Sequence, residues 1–276
     1  MRRASTLLAV LGFVALSLPA VASAAEPTVS ITKFKAKAIP VPKPGGGTWK
    51  GTGNCLGCGA GVEAEYEIAG EGYGTTAQNP KGGIAPISEV DFFLPAGAKI
   101  KKTGFGSCTE AALKNKGAEG CPKNSIASPV GSILGEVTFG AERVEESSTL
   151  QAFFGEGGLL FFVKGTTPTV VEVVSKGHYV KAAPPYGEEL ITFAPPVAKV
   201  PGAALASVRT IHIKAGAAYK KGKTIFSYGT LPKKCKGGLP VKTIIHFGGS
   251  NLFGEFGLPE KTAEATYKAP CPKKHL

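Results

Sequence analysis

The residues able to do chemistry here are few: six cysteines, four histidines and 20 carboxylates, of which only Asp91 is an aspartate. His212 lies between Ile211 and Ile213, and His246 between Ile245 and Phe247. On a strand, flanking residues point to the opposite face, so both imidazoles are expected to turn away from their apolar neighbours. Outward imidazoles on neighbouring strands could ligate a metal or act as a base; an ordinary exposed or sandwiched pair is the expectation. His178 and His275 complete the set. Glycoside hydrolysis needs two carboxylates facing across a cleft. Glu172, Glu188, Glu189 and Glu255 are available, but no spacing selects a pair. Trp49 is the sole tryptophan, and Tyr179, Tyr186, Tyr219 and Tyr228 are scattered, so no sugar-stacking platform stands out.

Phosphate and nucleophile motifs fail on inspection. Gly57-Cys58-Gly59-Ala60-Gly61 resembles a phosphate cradle, but an alternating strand pattern follows it, not a helix N-terminus. Gly222-Lys223-Thr224 ends a P-loop pattern whose first glycine is replaced by Ala217. No calcium loop and no G-x-S-x-G elbow occurs. No catalytic, cofactor-binding or metal residue is assigned, and no cofactor is expected.

The cysteines carry the firmer signal. Cys55, Cys58, Cys108, Cys121, Cys235 and Cys271 form an even set beyond an export leader, which reads as a disulfide framework. Proximity favours Cys55–Cys58, Cys108–Cys121 and Cys235–Cys271. Cys55-Leu56-Gly57-Cys58 lacks the histidine of a haem attachment site, the second pair of a zinc site and the βαβ context of a redox dithiol. Cys108 and Cys121 flank the one convincing helix, read as a Ser107-x-x-Glu110 capping box, Ala111–Leu113, Lys114 and Lys116 in the last turn, and Gly117 as the stop.

The elements around these residues are strands. Val62, Ala64, Tyr66 and Ile68 alternate with Glu63, Glu65 and Glu67. Further strands are expected over 29–38, 87–94, 133–139, 150–154, 159–164, 170–174, 190–193, 208–214, 224–228, 241–247 and 263–268, separated by clusters drawn from 38 Gly and 21 Pro. Lys33, Lys35 and Lys37 share one strand face, as do the three glutamates above; like charges in a row need opposite charge beside them, so these two strands are candidates to pair, with two separately solvated faces as the alternative. The expected fold is all-β: a single large antiparallel β-sandwich, jelly-roll-like, with one short disulfide-flanked helix, over 25–276.

Residues 1–24 read as a signal peptide: Arg2 and Arg3, a Leu7–Leu18 apolar run, and Ala22-Ser23-Ala24 for cleavage. Twelve apolar residues are too short to span a bilayer, so no transmembrane segment is expected after removal. The chain is basic, with 32 Lys+Arg against 20 Asp+Glu, yet beyond the leader only Arg143 and Arg209 are arginines. Lysine is a hydrated point charge, where arginine is the phosphate fork, so general solubility, or weak attraction to an anionic wall polymer, glycan or anionic lipid, is expected rather than specific nucleic-acid reading.

Cys121-Pro122, Lys234-Cys235-Lys236-Gly237-Gly238-Leu239-Pro240 and Ala269-Pro270-Cys271-Pro272 resemble a group of uncharacterised, exported, β-rich proteins of high-GC actinobacteria. Leu239 stands where that group usually has an aromatic residue. The resemblance implies an envelope or extracellular setting and transfers no catalytic residue. The functional expectation is a secreted or envelope-associated, non-enzymatic structural or binding module; the alternative is a carbohydrate-binding or carbohydrate-active jelly roll.

Overall fold

A computed structural model describes residues 26–53, 55–139, 142–167, 170–198, 203–272 and 274–275. The signal peptide expected over residues 1–24 lies outside the described residues. Eleven strands form one antiparallel sheet: β1 (Ser30–Ile39), β2 (Gly61–Ala69), β3 (Ile87–Pro95), β4 (Gly131–Phe139), β5 (Glu142–Gly155), β6 (Gly158–Thr167), β7 (Val171–Lys181), β8 (Tyr186–Phe193), β9 (Ser207–Ala215), β10 (Leu239–Phe247) and β11 (Lys261–Ala269). Their spatial order is β1-β2-β9-β4-β5-β6-β7-β8-β3-β10-β11. Strands β4 to β8 are a meander, joined at β5–β6 by a corner where Gly157 takes φ +79°.

This sheet does not split into the two layers of a sandwich. It curls until β1 and β11 approach each other, nearly closing a barrel. Glu26 and Lys261 bridge the seam at 2.8 Å, and Ala263, Ala265 and Tyr267 of β11 pack on the cluster containing Phe34 and Ala36 of β1. Alternation predicts one covered and one solvated face in either architecture, so the strand pattern alone does not separate a sandwich from a barrel.

The register makes the lysine row of β1 meet the glutamate row of β2: Lys33↔Glu67, Lys35↔Glu65, Lys37↔Glu63. Lys33 Nζ stands 2.7 Å from Glu67 and Lys37 Nζ 2.8 Å from Glu63. With the charges outward, Phe34, Ala36, Ala64, Tyr66 and Ile68 point inward and join Ile87, Val241, Ile245 and Phe247 in one core cluster.

All three cysteine pairs are bridged as expected. Helix α1 (Glu110–Lys116) lies outside the barrel, where Leu113 packs on Phe153, Leu160, Phe162 and Val174 and the Cys108–Cys121 bridge holds it down. Its N-cap is Thr109, whose Oγ1 accepts from the Ala112 N–H at 3.1 Å, and not Ser107. The chain is still bound to the sheet at that point, since the Cys108 N–H donates to the Phe154 carbonyl at 2.7 Å, and the helix starts after it. Gly117 stops the helix at φ +62°. The strand expected over 224–228 forms at Thr224–Ser227, in a separate hairpin with Ala218–Lys221 and not in the main sheet.

Candidate functional site

Inward residues of β2 to β9 do not fill the barrel on the side away from Phe247. They leave a cavity of about 300 Å³ walled by Val163, Val173, Ile133, Ile211, Leu150 and Val90 among other apolar side chains. One end is stopped by aromatic rings: Phe154 and Tyr228 stand with centroids 4.6 Å apart and Phe105 caps Phe154 at 4.6 Å. Burial pushes the Tyr179 phenol up to about 12 and raises that of Tyr228 further. The Tyr228 hydroxyl faces that of Tyr179 without a well-formed hydrogen bond. The opposite part of the wall is more polar, with Glu146, Ser148 and Ser207. Glu146 is 3% exposed, and Gly165 makes room for it: a Cβ there would stand 2.3 Å from Glu146 Oε1.

The outer wall near that polar end is pinned by Arg143. Its Nη2 donates to Ser207 Oγ at 2.6 Å and Nη1 to the Leu205 carbonyl at 3.3 Å, Glu136 lies 3.5 Å from Nε, and the guanidinium packs on the Tyr73 ring. Tyr73 Oη accepts from the Leu205 N–H at 2.9 Å. Arginine thus serves here as a buried fork joining loops to barrel wall, not as a surface cation.

The two outward histidines are outward as expected, with Ile211 and Ile213 on the cavity wall and Ile245 and Phe247 in the core. They are not on neighbouring strands: β9 and β10 lie on opposite sides of the β1–β11 seam. Each heads its own carboxylate cluster. His212 Nε2 sits 3.0 Å from Glu63, which also pairs with Lys37 and, at 3.4 Å, Lys214. The bond from Lys37, with help from His212 and Lys214, holds the Glu63 carboxyl down at about 2. His246 lies among carboxylates alone: Nδ1 is 2.7 Å from Glu260 Oε1, and Nε2 is 3.1 Å from Asp91 Oδ2 and 3.9 Å from Glu89 Oε1. Bonding to Asp91 raises the imidazole to about 9, against the opposing effect of burial. Burial, then the charge of Asp91, pushes Glu89 up to about 7.

No protein-family model, curated protein or solved structure matches this chain.

The other sequence candidates disperse. Glu172 pairs with Lys164 at 3.0 Å and Glu188 with Lys181, while Glu255 lies exposed in a small hairpin over 250–255. Glu189 is on the outer face, where burial and Asp91 raise its pKa. Trp49 lies under Lys43, His178 stacks on Phe193 and Tyr219 on Phe226, and Tyr186 packs at a tilt against Phe93. Only Tyr179 and Tyr228 converge, and they do so inside the barrel. Sequence reasoning missed Glu146 and the Asp91–Glu89 pair. Glu146 hides in the polar run Glu145-Glu146-Ser147-Ser148, and the alternation of β3 places Glu89 and Asp91 on one face without naming the strand beside them.

Proposed function

We propose that this protein is an exported, disulfide-stapled, non-enzymatic binding module that holds one small, mainly apolar molecule inside its barrel, at the cell envelope or outside the cell. The cavity carries the reading. On the cavity scale of about 24 cal/mol per Å³, leaving about 300 Å³ unfilled forgoes on the order of 7 kcal/mol, comparable to the whole stability of an ordinary domain. Apolar walls offer water little in exchange. A ligand with an apolar body recovers that term, and the volume falls at the lower end of small-molecule sites. Ser148 at one end and the Tyr179–Tyr228 hydroxyls at the other supply the few polar groups that orient such a guest. Three disulfides suit an oxidising compartment; the signal-peptide pattern and the resemblance to exported actinobacterial proteins point the same way.

The carbohydrate alternative has less support. A sugar needs polar partners over its whole rim, whereas this interior is apolar, and the candidate glutamates are paired or scattered on the outside.

The test is titration of the purified, oxidised chain with a neutral apolar fluorophore, alongside native mass spectrometry of protein taken directly from expressing cells. One equivalent should bind. Filling the cavity with Val173→Phe plus Ile133→Phe should weaken binding at least tenfold while the melting temperature holds or rises, because the added rings occupy existing space. Absence of probe binding by the parent chain, or equal binding by the filled variant, would overturn the reading.

A further inference from the structure

We propose that Glu89, Asp91 and His246, on the outer wall of the barrel, form a site for one divalent first-row transition-metal ion such as Zn²⁺, with Glu260 orienting the imidazole. Period two on β3 puts positions 89 and 91 on the same outward face, and the β3–β10 register sets His246 opposite Glu89. The three ligand atoms lie within 4.8 Å of one another. Two ligands of a tetrahedral ion with bonds of about 2.05 Å stand roughly 3.3 Å apart. The His246 Nε2 distances of 3.1 Å to Asp91 and 3.9 Å to Glu89 bracket that value.

Three observations argue for a cation between them. The Asp91 carboxylate is buried, at 5% exposure, and its Oδ1 has no hydrogen-bond partner among the described residues. A buried carboxylate oxygen without a partner is costly, and Asp91 Oδ2 already faces His246. Secondly, the Nδ1 of His246 meets Glu260 at 2.7 Å. An imidazole that donates Nδ1–H to a carboxylate presents a more basic Nε2 lone pair, the arrangement that supports metal-bound histidines. Thirdly, among the described residues no lysine or arginine forms an ion pair with Glu89 or Asp91. Their neighbour Lys242 is turned to Glu264 and lies over the Phe93 ring.

The Glu63–Glu65–His212 cluster is the internal contrast. It has similar ligand spacing, but Lys37 and Lys214 already neutralise Glu63, so a metal there would have to displace two ammonium groups. One imidazole with two carboxylates and a histidine-orienting glutamate suits Zn²⁺ or Mn²⁺ over Ca²⁺, which takes six to eight oxygens. Glu89 and His246 remain about a quarter exposed, leaving an entry path.

The experiment is calorimetric titration of the chelator-treated, disulfide-intact chain with Zn²⁺ alone at neutral pH, with Ca²⁺ as the hard-cation control. One equivalent of Zn²⁺ should bind. Asp91→Asn or His246→Gln should weaken it at least 100-fold, Glu260→Gln by about 10-fold to 100-fold, and His212→Gln should leave it unchanged. Circular dichroism checks that each variant folds. Should Asp91→Asn not fold, the parent chain still decides: ¹⁵N spectra should show a Zn²⁺-dependent shift at His246 Nε2 with Nδ1 still protonated. The proposal is overturned if no one-equivalent site appears, if Asp91→Asn or His246→Gln leaves the affinity intact, or if His246 Nε2 stays protonated when Zn²⁺ is added. The last outcome would make the cluster an imidazolium clamp.

Discussion

Glu63 shows how a single side chain can couple pH to the fold. It is nearly buried on β2, with Lys37 from β1 on one side and His212 and Lys214 from β9 on the other, and Glu65 next along its own strand face. Its folded pKa of about 2 lies below the ordinary 4.5. The depressed value means the stability it contributes is fully present above about pH 4.5 and is lost as pH falls from there toward 2. At one pKa unit per 1.4 kcal/mol the contribution is on the order of 3 kcal/mol. Glu63→Gln should therefore destabilise the protein at pH 7 by about 2–3 kcal/mol in guanidinium unfolding and flatten the acid limb between pH 4.5 and 2. An acid limb identical to the parent's would show that the charge of Glu63 is not what binds β1, β2 and β9 together. This ladder was legible in the sequence, because three like charges at period two need an opposite row and the chain has one such row of each sign. Asp91 and His246 were not. They meet only through the β3–β10 register, set by a connection of more than 140 residues, whereas no periodicity reports which strand lies beside which.

At the scale of elements, the strands read well where one face is apolar and poorly where the strand is polar. β5 begins at Glu142, eight residues before the apolar run that announced it, and β7 continues to Lys181, past Val174. In both extensions hydrogen bonding to strands already in place carries the ladder through residues that have no strand pattern of their own. The helix depends less on its sequence than on its anchors. Seven residues are too few to hold a helix in water, so α1 persists through Leu113 under the barrel wall, the Thr109 cap and the Cys108–Cys121 bridge. Thr109→Ala should cost about 1 kcal/mol, read as faster amide exchange at Ala112 with little change at β6. A cost near zero would mean that the bridge alone sets the helix start. The Cys235–Cys271 bridge ties the end of β11 to the segment entering β10, and these strands pair over their full length, from Leu239↔Ala269 to Phe247↔Lys261. Replacing both cysteines by alanine frees a loop whose closure is worth on the order of 4 kcal/mol in the chain-entropy model. The guanidinium midpoint should fall accordingly, with exchange first in β11, because that strand lies at the seam. Loss of midpoint without early exchange in β11 would place the effect in the unfolded chain instead.

The molecule as a whole segregates its charge. No aspartate or glutamate occurs between Glu189 and Glu255, a stretch that includes Lys220, Lys221 and Lys223 on the free hairpin. That hairpin is held against a second lysine segment, Lys99, Lys101 and Lys102, by the pairing of Lys99–Ile100 with Gly229–Thr230 and by Tyr219 Oη donating to the Thr103 carbonyl at 3.2 Å. All six lysines are exposed, above the same aromatic stopper that closes the cavity. Six ammonium groups crowded on one end repel one another, and the stacked Tyr219 and Phe226 rings keep the hairpin formed in spite of it. We propose that such an end draws the barrel to an anionic surface, through long-range attraction that salt screens beyond about 10 Å at 0.1 M. The purified protein is therefore expected to be retained on a polyphosphate or cell-wall resin at low salt and released as ionic strength rises to a few tenths molar. Lys101→Glu, Lys102→Glu, Lys221→Glu and Lys223→Glu together should abolish retention. The same four-charge reversal at Lys50, Lys81, Lys116 and Lys123, exposed elsewhere, should reduce it only modestly. Equal losses from the two sets would assign the attraction to net charge and not to this end of the barrel. Retention unchanged by either set would remove the anionic polymer as a partner.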